Sequence, residues 1–210
     1  MVKEGGLDSL LRKLEKSTSH TFDNVFSELH DFLGKKHPGD AELESMQKKY
    51  SKYSKCTKVN GKGKVLSGLG ELLLKYGNGS SYARDTAVDL MYMLTNRNMR
   101  VKRYIALEAL KSAPMYNGTK FEGKNLTTSL VDYLCDVVCS QKEDTHFRDR
   151  SIETLALVYP LLKNQARDGR KGRYRKDVKQ CVSKLKETMK YVSKNKSSFD
   201  KQSVKYASEF

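Results

Sequence analysis

Apolar residues recur at intervals of three and four along most of this 210-residue chain, and only three prolines interrupt the pattern. The first example is the set Leu7, Leu10, Leu11 and Leu14, which this spacing places on one face of a helix. Because proline ends or kinks a helix, so small a number leaves room for long helices. No alternating apolar and polar run is long enough to indicate a sheet. The predicted fold class is therefore all-α.

Two architectures agree with this pattern, an irregular multi-helix bundle and a short stack of helical hairpins. Residues 101–110 (VKRYIALEAL) run from a valine and basic residues to small and apolar residues and then Glu-Ala-Leu. This segment resembles the second helix of a HEAT-type repeat. The resemblance to HEAT and armadillo repeats spans residues 65–162 and implies stacked helix pairs. A further likeness, between residues 83–89 and 147–153, suggests an internal repeat. The irregular bundle remains the competing prediction.

Composition divides the chain into three expected parts. N-terminal helices occupy residues 1–58, a central helical core occupies 59–162, and a basic loop, a C-terminal helix and a polar tail occupy 163–210. Pro160 is expected to kink or end its helix. The tail from Ser193 is polar, and we expect it to be partly disordered.

The positive charge is concentrated in two segments. The chain has 40 Lys and Arg against 25 Asp and Glu, so its net charge is +15. Residues 47–64 hold seven lysines and no acidic residue, whereas residues 163–196 hold thirteen basic residues and three acidic ones. The remainder is close to neutral. Such an excess favours partners with negative surfaces, namely RNA, DNA, anionic lipid or acidic protein.

Both segments combine cations with tyrosine, as nucleic-acid-binding surfaces do. Arginine holds phosphate oxygens in two bonds, lysine supplies a mobile point charge, and tyrosine stacks on unpaired bases. The residues predicted to bind nucleic acid are Lys48, Lys49, Lys52, Lys55, Lys62, Lys64, Arg167, Arg170, Lys171, Arg173, Tyr174, Arg175, Lys176 and Lys179. Tyr50 and Tyr53 lie among the first group. The alternative interpretation of each run is a solvated face.

No catalytic or metal-binding pattern emerges from the remaining residues. Cys135 and Cys139 lie four apart among apolar neighbours, which is typical of buried core thiols, and no further ligand is close in sequence. The four histidines are scattered and are expected at the surface or at helix ends. The glycine-rich residues 61–64 lack the P-loop spacing. We therefore predict no enzyme activity, no metal and no cofactor.

The leading hypothesis is a non-enzymatic nucleic-acid-binding protein, with RNA favoured over DNA, that contacts phosphates through its basic segments. One alternative is a structural protein like a viral matrix or nucleocapsid component, which binds RNA or anionic membrane and self-associates. Another is a helical-repeat adaptor with a protein partner. The N-terminal residues have no apolar signal region, and no stretch is apolar enough to span a membrane. With no disulfide framework among the cysteines, an intracellular location, cytoplasmic or nuclear, is predicted.

Overall fold

A computed structural model describes residues 6–56, 61–111, 119–167 and 173–210. These residues form ten α-helices, one short 3₁₀-helix and one two-stranded sheet, so the all-α prediction is confirmed. The helices are α1 (Gly6–Lys16), α2 (Phe22–Lys35), α3 (Asp40–Ser54), α4 (Gly63–Tyr76), α5 (Ser81–Thr95), α6 (Arg100–Lys111), α7 (Leu126–Cys139), α8 (Thr145–Arg167), α9 (Arg173–Lys194) and α10 (Lys201–Ser208). The strands are β1 (Lys120–Phe121) and β2 (Lys124–Asn125). No helix in the described ranges is long and apolar enough to cross a bilayer.

Contacts divide the chain into two compact units, Met1–Pro114 and Met115–Phe210. The three parts expected from composition divide the chain at other places, since residues 58 and 162 each fall inside one of these units. The first unit contains α1 to α6. The second contains the β1–β2 hairpin and α7 to α10.

Helix α4 is the centre of the first unit, with α2, α3, α5 and α6 packed around it. Its leucines are fully buried, because the three-four spacing turns Leu66, Leu69 and Leu73 inward. Gly68 lies where α2 approaches most closely. A Cβ atom at this position would come within 2.8 Å of the Phe26 ring, so glycine allows the two helices to meet.

In the second unit, α7, α8 and α9 pack against one another, and α10 covers α8 and α9. Helix α8 continues through Pro160 to Arg167. The prediction that this proline ends its helix is therefore wrong. Buried residues on both sides of it, Val158 and Leu162, anchor the helix in the unit. The basic loop expected at the start of the part 163–210 begins later than predicted, because α8 continues to Arg167, and α9 begins at Arg173.

The C-terminal tail is folded, contrary to the expectation of partial disorder. Phe199 is buried, and its ring lies 4.3 Å from the Arg148 guanidinium carbon. Asp200 then caps α10, with its carboxylate accepting a hydrogen bond from the Ser203 backbone N–H at 2.6 Å. The tail is held because one aromatic residue enters the core and the next residue starts a helix.

The hairpins α5–α6 and α7–α8 share one structural device. The fourth residue of the second helix is a buried arginine in each: Arg103 donates from Nε to the Leu94 carbonyl at 3.1 Å, and Arg148 donates to the Val138 carbonyl at 2.9 Å. Both bonds place a cation at the C-terminal end of the preceding helix. Arg148 is therefore equivalent to Arg103. The expected repeat between residues 83–89 and 147–153 aligns Arg148 with Arg84, which is also the fourth residue of its helix but is exposed and donates to the Gly79 carbonyl at 3.1 Å. That repeat stays a prediction.

Candidate nucleic-acid interface

The first basic segment lies largely on α3, where its lysines meet a carboxylate from α1. Glu15 is the centre of this cluster. Its Oε2 is 2.6 Å from Lys49 Nζ, and its Oε1 is 3.5 Å from Lys52 Nζ and accepts a hydrogen bond from the Tyr53 hydroxyl at 2.9 Å. Lys49 and Glu15 are mostly buried, with 22% and 18% of their side chains exposed. These two side chains tie α3 to α1.

Opposing influences act on the pKa of Glu15. Burial is the largest of them and would raise the pKa, but hydrogen bonds from Lys49 and Tyr53 and the charges of Lys49 and Lys52 together lower it. The carboxylate is therefore held in its charged form by neighbouring donors. The positive charge of Lys49 is correspondingly matched within the unit.

The other lysines predicted in this segment are divided between internal and exposed positions. Lys62 donates to the Glu15 backbone carbonyl at 2.5 Å, which places its charge at the C-terminal end of α1. Lys48 is exposed and lies 2.8 Å from Glu44, one turn earlier on α3. Lys55 and Lys64 are exposed, and Lys64 Nζ lies 5.7 Å from the Phe22 ring centroid. Three lysines of this segment, Lys48, Lys49 and Lys52, therefore meet a carboxylate among the described residues.

The tyrosines of the first segment are not placed to stack on bases. Tyr50 is fully buried, and its hydroxyl donates to the Asp89 carboxylate at 2.7 Å. Burial, with the Glu15 carboxylate as a second cause, raises the pKa of Tyr53 to about 12. Both hydroxyls are used in joining helices of the first unit, so the predicted stacking role of these two rings is wrong for Tyr50 and unsupported for Tyr53.

The predicted binding residues of the second basic segment run in sequence from the end of α8 to the beginning of α9. Arg167 belongs to α8, and Arg173, Tyr174 and Arg175 belong to α9, although their side chains lie outside the described residues. Arg170 and Lys171 lie outside the described residues altogether. The predicted residues whose side chains are described here are Lys176 and Lys179, and both are exposed.

Lys176 and Lys179 begin a longer row of lysines along α9. Five exposed lysines of this helix share one face, and we call them the α9 lysine stripe. The stripe consists of Lys176, Lys179, Lys186, Lys190 and Lys194. With 3.6 residues per turn and a rise of 1.5 Å, they occupy an arc of about 80° over a length of about 27 Å. None of them makes an ion pair or hydrogen bond with the part of the chain that the structure describes.

A sixth lysine of α9 shows how a paired position differs. Lys184 Nζ lies 2.9 Å from an Asp136 carboxylate oxygen and 3.6 Å from one of Asp132, both on α7. It also donates to the Asp132 backbone carbonyl at 3.2 Å. Lys184 therefore joins α9 to α7. The lysine stripe lies on another side of α9 and faces solvent.

Sequence reasoning missed Lys186, Lys190 and Lys194 because it followed the densest run of charge. The signal that would have found them is their spacing, since intervals of three, four and seven residues return to one helical face. It also missed Glu15, which is 34 residues from Lys49 in sequence. Helix packing alone brings that pair together.

A half-buried polar cluster joins α2 to α4, which the sequence did not predict. His30 Nδ1 lies 2.9 Å from the Tyr76 hydroxyl, and Nε2 lies 3.5 Å from a Glu71 carboxylate oxygen. Burial, followed by the charge of Lys75, lowers the pKa of His30. His30 is thus a packed residue between helices, and the expectation of a surface or capping role is wrong for it.

The buried cysteines have thiols that ionise less readily than a free cysteine. Burial raises the pKa of Cys135 to about 11 and that of Cys181 to about 12. Cys135 is buried as predicted, whereas Cys139 is exposed at the end of α7. Over residues 6–56, 61–111, 119–167 and 173–210, no three His, Cys, Asp or Glu side chains are placed to hold one metal ion.

Comparison with known proteins adds no relative to this picture. The chain matches no protein-family model, no curated protein and no solved structure at a significant level.

Proposed function

We propose that this protein is a non-enzymatic nucleic-acid-binding protein that contacts phosphates through the α9 lysine stripe. The observation that supports the proposal is the row of five exposed lysines with no carboxylate partner among the described residues. Each lysine offers a mobile point charge that suits a phosphate oxygen. The net charge of +15 adds long-range attraction for a polyanion.

The number of lysines in the stripe predicts how steeply the binding constant falls with salt concentration. If each lysine of the stripe neutralises one phosphate, the logarithm of the binding constant falls with the logarithm of salt concentration at a slope of about −4.5 on a duplex and about −3.5 on a single strand. Contacts of this kind fix position on the backbone and carry no sequence information directly. We therefore expect weak sequence preference.

The test reverses three charges in the middle of the stripe, with Lys179, Lys186 and Lys190 each changed to Glu. Its matched control changes Lys16, Lys35 and Lys142 to Glu, which are exposed lysines elsewhere and give the same net charge. Binding to nucleic acid is measured by fluorescence anisotropy at several salt concentrations. We expect the stripe variant to lose about two or more orders of magnitude in affinity at about 0.1 M salt.

The control variant is expected to lose much less, because only the general attraction falls. Equal losses in both variants would contradict a role for the stripe and leave net charge as the cause. Unchanged circular dichroism and unfolding midpoints for both variants check that the fold is intact. Anionic vesicles in the same assay test the matrix-like alternative. Vesicle binding without nucleic-acid binding would favour that alternative.

A helical-repeat adaptor is the second candidate, and one observation favours it. The first unit exposes apolar side chains near the α5–α6 turn, with Met99 at 39% and Val101 at 63% of their accessible surface. The shared arginine device of α5–α6 and α7–α8 also agrees with repeated hairpins. An adaptor would keep its protein partner when the stripe charges are reversed and lose it when Val101 is changed to Glu.

A further inference from the structure

The α9 lysine stripe has no aromatic side chain on which bases could stack among those described. All five of its members are lysines. The aromatic residue of α9 whose side chain is described, Tyr191, packs edge-on against Phe199 with ring centroids 6.2 Å apart. Stacking on aromatic rings contributes to affinity for each base when single strands bind. The stripe offers no such contribution in exchange for unstacking bases.

The position of α9 in its unit limits which of its faces a duplex can meet. Helix α9 packs against α7, α8 and α10. A duplex can therefore meet α9 only on its exposed side, where the stripe lies beside Gln180, Ser183 and Glu187. The stripe can lie against a backbone without entering a groove.

Charge density then favours the double helix over a single strand. Duplex DNA carries one charge per about 1.7 Å of axis and releases more counterions per contact than a single strand does. For five contacts, the slope of log binding constant against log salt concentration is steeper by about 1 on a duplex than on a single strand. With no stacking to compensate, the same row of lysines is expected to bind a duplex about tenfold more tightly at about 0.1 M salt.

From these three observations we infer that the α9 lysine stripe binds the phosphate backbone of double-helical nucleic acid, RNA and DNA alike, in preference to a single strand. This inference rests on the proposed function and names its ligand. The tyrosines in the sequence suggested a preference for unpaired bases, whereas this inference predicts a preference for a duplex. Two of those tyrosines, Tyr50 and Tyr53, are engaged inside the first unit.

The experiment compares three ligands with the full-length chain. They are an RNA duplex of about 20 base pairs, the DNA duplex of the same sequence and an unstructured oligouridine of equal length. At a spacing of about 3.4 Å along a strand, each ligand is longer than the stripe. Affinity is measured between about 50 and 200 mM salt. We expect both duplexes to bind alike, about tenfold more tightly than oligouridine, with the steeper slope. Scrambled duplexes should bind equally well.

Failure of this inference can be told apart from failure of the proposed function. Oligouridine binding as tightly as the duplexes, and lost when Lys179, Lys186 and Lys190 are changed to Glu, would overturn the inference and leave the proposed function standing. Binding to the RNA duplex alone would also overturn it, because phosphate contacts do not distinguish the two sugars. No binding to any of the three ligands would overturn both.

Discussion

Helices α3 and α9 are both rich in lysine, but their lysines have opposite surroundings. All three lysines of α3 meet carboxylates of the first unit, Lys48 at Glu44 and both Lys49 and Lys52 at Glu15. The five lysines of the α9 stripe are exposed, with no such partner in the described part of the chain. One helix uses its positive charge for internal attachment, and the other presents it to solvent.

This difference shows why a run of lysines does not by itself mark a binding surface. The first segment has no acidic residue of its own, yet Lys49 and Lys52 of α3 meet a carboxylate, because α1 brings Glu15 to them. In the second segment five lysines of α9 stay exposed, and Lys184, which meets Asp132 and Asp136 of α7, lies on a separate side of the helix. The number of lysines in a segment therefore does not show how many of them are available to a ligand.

The largest effect should come from removing the carboxylate that matches the α3 lysines. Changing Glu15 to Ala leaves the mostly buried ammonium of Lys49 and the Tyr53 hydroxyl without their acceptor. We expect the free energy of unfolding to fall by about 2–3 kcal/mol, measured by urea denaturation. The affinity for nucleic acid should not fall.

The control for this variant is Glu28→Ala, which removes an exposed pair with Lys13. The two side chains of that pair are 54% and 58% exposed, so its loss should cost less than about 1 kcal/mol. Equal stability of the two variants would show that Glu15 does not hold α3 in place.

A smaller effect is expected from exchanging one lysine in each helix for methionine. Lys49→Met removes one partner of a mostly buried pair, and we expect it to lower the free energy of unfolding by about 1–2 kcal/mol while leaving duplex binding unchanged. Lys190→Met should change stability by less than about 0.5 kcal/mol and weaken duplex binding several-fold. Urea denaturation measures the stability of both variants, and fluorescence anisotropy measures their affinity for the duplex. A binding loss in Lys49→Met would contradict the separation of the two helices.

Much of the fold could be predicted from the sequence because helices depend on local spacing. The leucines of α1 and α4 show the three-four pattern without help from distant residues. The β1–β2 hairpin could not be predicted in the same way, since its strands have two residues each and its turn depends on positive φ at Glu122 and Gly123. The fold of the tail likewise depends on Phe199 reaching Arg148, a contact between distant residues.

The candidate interface could be predicted only in part, for a related reason. Lys176 and Lys179 were recognisable because they end a dense basic run, and their exposure follows from the apolar face opposite them. Tyr50 follows Leu43 and Met46 at the three-four spacing, so the sequence indicated its place on the buried face of its helix. Its hydroxyl partner, Asp89, lies in another helix and could not be predicted. What the sequence lacks in both cases is the position of one helix relative to the next.

The smallest expected effect would extend the stripe by one charge. Glu187 is exposed on α9 at the edge of the stripe, about 20° around the helix from Lys194. Changing Glu187 to Lys removes a carboxylate that repels phosphate and adds a cation on the same face. If the stripe contacts the backbone, one more contact should tighten duplex binding about three- to eightfold at about 0.1 M salt and steepen the slope by about 0.9. The matched control is Glu44→Lys on α3, which makes the same change of net charge in the first unit. A tighter complex from Glu187→Lys alone would place the ligand on α9, whereas equal gains from both variants would mean that only the net charge matters.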